Sequence, residues 1–190
     1  MRQRVGVKHY WMIIIISIAT AIGLNNILLL IDLAKYSEAY QKAAEILYSP
    51  SFVEQLLISG MVVPVMEELI FRGLVFKLLR RWLPFVWAML ASAVSFGVYH
   101  GNLVQFVYAG LCGLLLAYLY EKFASLAAPI LAHMTMNLTA VIMTEYSVFE
   151  WIFENIVHVL IVTVACVAVW GVLFVRIHRN VSILNRIDVS

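Results

Sequence analysis

The chain is short of charge. Only 13% of its 190 residues are Asp, Glu, Lys or Arg, against roughly 25% in an ordinary soluble domain, while 64% are hydrophobic. That balance excludes a water-soluble globular domain and places the protein in a bilayer. Length limits it further. A hydrocarbon core about 30 Å thick takes about 20 residues per helix, so at most about six or seven spans fit, with no second domain. A net charge of +2 is too small to imply a nucleic-acid partner. Cysteine is scarce, and Cys112 and Cys166 both lie in apolar runs, where a thiol packs as a small hydrophobe and reports no redox compartment. No internal repeat or low-complexity tract is present. The basic segment 1–9 precedes an apolar run too long for a signal-peptide core, which reads as a retained first span.

What is there is long apolar segments. They predict an all-α polytopic bundle with six membrane helices, at about 10–31, 52–79, 84–100, 103–120, 126–144 and 151–175. Between Asp32 and Pro50, Lys35, Glu38, Lys42 and Glu45 recur every three or four residues, which predicts an amphipathic helix on the membrane surface at about 36–48. Pro84 and Pro129 fall near helix starts, whereas Pro64 falls inside a span and should free a backbone carbonyl there. With the N-terminus inside, Arg2, Arg4, Lys8, Lys77, Arg80, Arg81, Lys122, Arg176, Arg179 and Arg186 are cytoplasmic, and only Lys35 and Lys42 lie outside. This asymmetry predicts that both termini are cytoplasmic.

Against this background, ionisable groups inside spans stand out, since each costs roughly 2.5–3.5 kcal/mol on insertion scales. Span two carries Glu67, Glu68 and Arg72, span three ends in Phe96 and His100, and span five carries His133 and Asn137. Glu68 and Arg72 are four apart, neighbours on one helix face in the favourable order for an ion pair. Glu67 lies about 100° round the helix and is free to point elsewhere. His133 and Asn137 also share a face. Counting from the turns puts Glu67 and His100 level, with His133 and Asn137 shallower. Gly97 with Gly101, and Gly110 with Gly113, offer small-residue faces for close helix approach. A carboxylate and histidines sharing a water make a general acid–base site, Asn and His are donors for an oxyanion, and Glu67, His100 and His133 could equally hold zinc. Either arrangement hydrolyses an amide.

The three motifs, Glu67-Glu68-Leu69-Ile70-Phe71-Arg72, Phe96 to His100 and His133 to Asn137, resemble in order and spacing those of the CPBP family, the CAAX proteases and bacteriocin-processing enzymes also called Abi proteins. The likeness covers a core at about residues 50–145. It implies an intramembrane endopeptidase in which Glu67 and His100 activate water, His133 and Asn137 bind the oxyanion or complete a metal site, and Glu68 with Arg72 braces them. Its substrate would be a membrane-bound peptide or protein, either a prenylated CAAX chain or a bacteriocin or pheromone precursor. Two other classes bury such groups: a non-catalytic immunity or peptide-binding protein, and a small proton-coupled transporter, the latter disfavoured by the lack of an inverted repeat.

Overall fold

A computed structural model of the protein describes residues 9–31 and 38–187, with side chains as far as residue 179. Asp32 and Lys35 of the expected surface helix and the basic residues Arg2, Arg4 and Lys8 lie outside the described residues, as does the side chain of Arg186. Every regular element among the described residues is helical: α1 (Tyr10–Leu30), α2 (Glu38–Tyr48), α3 (residues 52–82), α4 (Phe85–Tyr99), α5 (Leu103–Phe123), α6 (Ala127–Glu145), α7 (Val148–Phe153) and α8 (Ile156–Ile187). Four are long and apolar enough to cross a membrane: α1, α5, α6 and residues 156–179 of α8. The protein is an all-α polytopic membrane bundle. The helix α2 buries no side chain, as a helix lying on a surface should.

Two boundaries differ from the expected ones. The segment 151–175 is split, because Asn155 turns its side chain onto the Val157 N–H (2.9 Å) and starts α8 afresh after the short α7. The helix α3 is not uniformly α: it passes through π-helix at Gln55–Val62, α-helix at Val63–Ile70, π-helix again at Phe71–Phe76 and α-helix at Lys77–Trp82. It opens on a capping box, with Ser51 N–H donating to Glu54 (2.8 Å) and Glu54 N–H donating to Ser51 Oγ (3.4 Å). Pro64 follows the first π segment. In that register the Val63 N–H bonds the carbonyl of Ile58, five residues back, so the next carbonyl, that of Ser59, faces a proline with no hydrogen to give.

The helices α4 and α5 form the tightest pair. A Cβ on Gly97 would lie 2.6 Å from the Phe106 carbonyl oxygen, and one on Gly113 would lie 3.1 Å from Ala93 Cα and 3.2 Å from Arg72 Nη2. Both glycines permit close approach. Gly101 does not serve that purpose: nothing lies within 4 Å of where its Cβ would be, and its φ of +74° makes it the turn residue between α4 and α5. Gly110 is also roomier than expected, its nearest neighbour standing 3.8 Å away. At 15 residues, α4 is about 22 Å long, short of the hydrocarbon thickness. Its C-terminal end is capped by the half-buried His100.

Candidate active site

The polar cluster is built on α3, with Glu67 and Glu68 between its two π segments and Arg72 in the second. Glu68 and Arg72 are fully buried, and Arg72 Nη1 donates to Glu68 Oε1 at 2.8 Å across one helical turn. A guanidinium has donors to spare: Nη2 reaches the Gly113 carbonyl on α5 at 3.0 Å, through the space a side chain on Gly113 would fill. The cation also lies over the Phe96 ring, 4.7 Å from its centroid. Glu68 thereby ties α3 to α5 through Arg72, and it ties α3 to α6 directly. Its Oε1 also lies 2.9 Å from His133 Nδ1.

That last contact fixes a tautomer. An ionised carboxylate only accepts, so Nδ1 carries the proton and a neutral His133 presents its Nε2 lone pair on the other side of the ring. Nε2 faces Glu67 Oε2 at 3.6 Å. This is too long for a direct hydrogen bond and is a separation at which the two groups can meet through a water. Glu67 is itself 8% exposed, open to the site, while Glu68 is sealed. The neighbouring acids are therefore differently engaged: Glu68 holds Arg72 and His133 Nδ1, and Glu67 faces His133 Nε2.

His100 joins from the end of α4, and Glu67 lies within electrostatic reach of both His133 and His100. Its Nδ1 lies 2.8 Å from the Phe96 carbonyl, which only accepts, so the neutral ring again presents Nε2. Phe96 stands at the centre, its ring edge-on to His100 (4.9 Å), His133 (5.6 Å) and Phe71 (4.9 Å). Sequence reasoning placed Phe96 in a motif without a role. Its spacing of four from His100 on one helix face was the available signal.

The expected difference in depth disappears, because His133 meets both Glu67 and Glu68. Counting 1.5 Å per residue overstates how far Glu67 lies from the end of α3, since the wide turns of Phe71–Phe76 advance less per residue. Asn137 is placed otherwise than His133. One turn further along α6, its Nδ2 donates to the Ser59 carbonyl at 2.8 Å, the same carbonyl that Pro64 leaves without a backbone partner. Gly60 beside it accommodates Leu138, whose Cδ2 would lie 2.5 Å from a Cβ there. Asn137 thus clamps α6 to the first π segment, with one amide hydrogen left over. Asn137→Ala is expected to lower stability by about 1 kcal/mol in detergent-based unfolding, because the orphaned carbonyl loses its donor.

A metal would need a converging donor set. Among the described residues no three His, Cys, Asp or Glu side chains are arranged to hold an ion. Glu67, His100 and His133 are neighbours, and His133 keeps Nε2 free while Glu68 engages Nδ1, but the three do not converge on one point.

Residues 49–139 match the family model described as "Type II CAAX prenyl endopeptidase Rce1-like". The matched stretch includes all three motifs. A curated relative named "Putative membrane peptidase YdiL", from Bacillus subtilis (strain 168), is 36% identical over 88 residues. That alignment takes in 46% of this chain and 36% of the relative, so this chain spans only about a third of that protein. No solved structure matches. The resemblance carried by Glu67 to Asn137 is borne out by both matches.

Proposed function

We propose that this chain, similar over residues 49–139 to type II CAAX prenyl endopeptidases, is an intramembrane endopeptidase that hydrolyses a peptide bond of a membrane-bound substrate. The observation that carries this reading is the buried Glu67 carboxylate facing an imidazole whose other nitrogen is held by Glu68. Glu68 acts on His133 as the carboxylate of a hydrolytic triad acts on its histidine, fixing ring orientation and tautomer. A water lodged between Glu67 and His133 Nε2, with His100 beside them, donates one hydrogen to each of the two, which leaves its oxygen lone pairs free and suits it for deprotonation.

The step balances without a further reactant. Glu67 takes a proton from the water as its oxygen bonds to the scissile carbonyl carbon, and the tetrahedral intermediate then breaks its C–N bond as that proton passes to the leaving nitrogen. The products are a carboxylic acid and an amine. The spare amide hydrogen of Asn137 is the neutral donor available for the oxyanion, since His133 and His100 can donate from Nε2 only when protonated. Arg72 stays out of reach of the substrate, fully buried, and supports Glu68.

Orientation follows from charge. The Arg80 side chain pairs with Glu121 at 3.0 Å, which sets the ends of α3 and α5 on one side together with Arg81 and Lys122. Arg176 and Arg179 lie toward the same end on α8, where His178 meets Tyr118 of α5. We assign this side to the cytoplasm of a bacterial membrane, with both termini cytoplasmic. The substrate class is tested by presenting the full chain in lipid vesicles with prenylated CAAX peptides, unprenylated peptides of the same sequence and hydrophobic secreted-peptide precursors, reading products by mass spectrometry. Cleavage of the prenylated set alone supports CAAX-type processing, and cleavage of the precursors supports peptide maturation. No cleavage of any set by a folded protein favours a peptide-binding or immunity role.

A further inference from the structure

A second cavity lies away from the polar cluster. It has a volume of about 390 Å³ and lies among α1, α4, α5 and α8, with Gly23, Leu111, Leu115, Tyr118, Trp170 and Phe174 in its walls. Gly113 turns its carbonyl toward Arg72, and Leu111 and Leu115 stand two residues either side of it, about 200° round α5. The body of α5 therefore separates the cavity from Glu67. Much of the wall comes from α1 and α8, outside the stretch shared with the peptidase family.

The cavity is apolar along its length and changes character at one end. There Tyr118 stacks on Phe174 (4.9 Å), its hydroxyl lies 3.2 Å from His178 Nδ1, and Lys122 Nζ lies over its ring at 5.8 Å. Lys122 and His178 each follow a wall residue by four positions, one turn nearer the basic side of the bundle. Arg176 and Arg179 are exposed on the same stretch of α8. The neighbouring acid, Glu121, is paired with Arg80.

We infer that this cavity holds one acyl chain of an anionic phospholipid, with the headgroup against Lys122 and His178. The occupant follows from the surroundings. A hydrocarbon-lined space among membrane helices is open to acyl chains, and a basic mouth at the level where helices leave the bilayer selects a negative headgroup. Neither a peptide nor a metal fits walls with so few polar atoms.

The test uses the full chain in detergent with dioleoyl phosphatidylglycerol or dioleoyl phosphatidylcholine added, bound lipid being counted by native mass spectrometry. One phosphatidylglycerol per chain is expected, held about fivefold more tightly than phosphatidylcholine. Leu111→Trp with Leu114→Trp fills the cavity from its rim and should abolish retention of both lipids. Lys122→Gln leaves the cavity open and should remove only the preference. Equal retention of the two lipids by the wild type would overturn the assignment, as would undiminished retention by a folded cavity-filled variant. Should the filled variant not fold, Lys122→Gln decides alone: an unchanged preference overturns the assignment, and its loss supports it.

Discussion

Glu67→Gln in the vesicle-reconstituted full chain is expected to lower peptide cleavage by about 10²–10⁴-fold, the range that a positioned general base supplies. The fold should survive this change. Glu67 lies 3.6 Å from His133 and makes no ion pair with Arg72, so an amide of nearly the same shape removes the base without orphaning a buried cation. Helical content and the unfolding midpoint in detergent should stay near wild type while initial rates collapse. Glu67→Asp gives the complementary arm, keeping the charge and withdrawing it by about one carbon–carbon bond, and should recover part of the rate. Equal cleavage by wild type and Glu67→Gln would make Glu67 structural and would displace the site from this cluster.

Glu68→Gln should behave in the opposite way, as a failure of the fold first. Glu68 is fully buried and its Oε1 takes both Arg72 Nη1 and His133 Nδ1. Removing its charge leaves the Arg72 guanidinium uncompensated in a low-dielectric interior. Breaking one side of such a pair costs about 3–5 kcal/mol. Arg72→Met should cost a similar amount by stranding Glu68. The double substitution should cost less than the sum of the two, because no unpaired charge then remains, and its shortfall measures the coupling. Activity should still be lost in the double variant, since His133 loses the carboxylate that sets its tautomer. Reversible unfolding of the four proteins in detergent mixtures, alongside cleavage rates, separates the two contributions. Additive losses would show that the pair is not coupled.

Composition and periodicity made the helices legible. Tyr10–Leu30, Phe85–Tyr99, Leu103–Phe123 and Ala127–Glu145 fall within a few residues of the segments read from hydropathy, because apolar runs of that length have few other ways to satisfy their backbone in lipid. The division of labour between Glu67 and Glu68 was also legible, since four-residue spacing to Arg72 favours one of two adjacent acids. The π segments were not: α and π turns use the same residues, and Pro64 marks a disturbed carbonyl without saying which one. Hence neither the Asn137 clamp on Ser59 nor the true depth of His133 followed from residue counts. The break at Glu154-Asn155 was hidden inside a hydrophobic run. Gly101 was mistaken for a packing glycine because spacing alone does not distinguish a helix face from a turn that requires positive φ.

The alternation of α and π turns along α3 bears on how this helix can change length. A π turn carries an extra residue relative to an α turn, so each wide segment works as a phase shifter between the parts of the helix it joins. Deleting one residue inside 55–62 relaxes a wide turn to an ordinary one and keeps what precedes it in nearly the same orientation relative to Glu67, leaving the register of Glu67, Glu68 and Arg72 intact. Deleting one inside 71–76 does the same for the stretch from Lys77 to Trp82, though Arg72 itself lies in the wide segment and its reach to Glu68 constrains where the cut can fall. Glu67 and Glu68 are thus flanked on both sides by turns that can absorb a single-residue gap. Insertions and deletions in this helix are best tolerated there, and least tolerated in the eight residues from Val63 to Ile70.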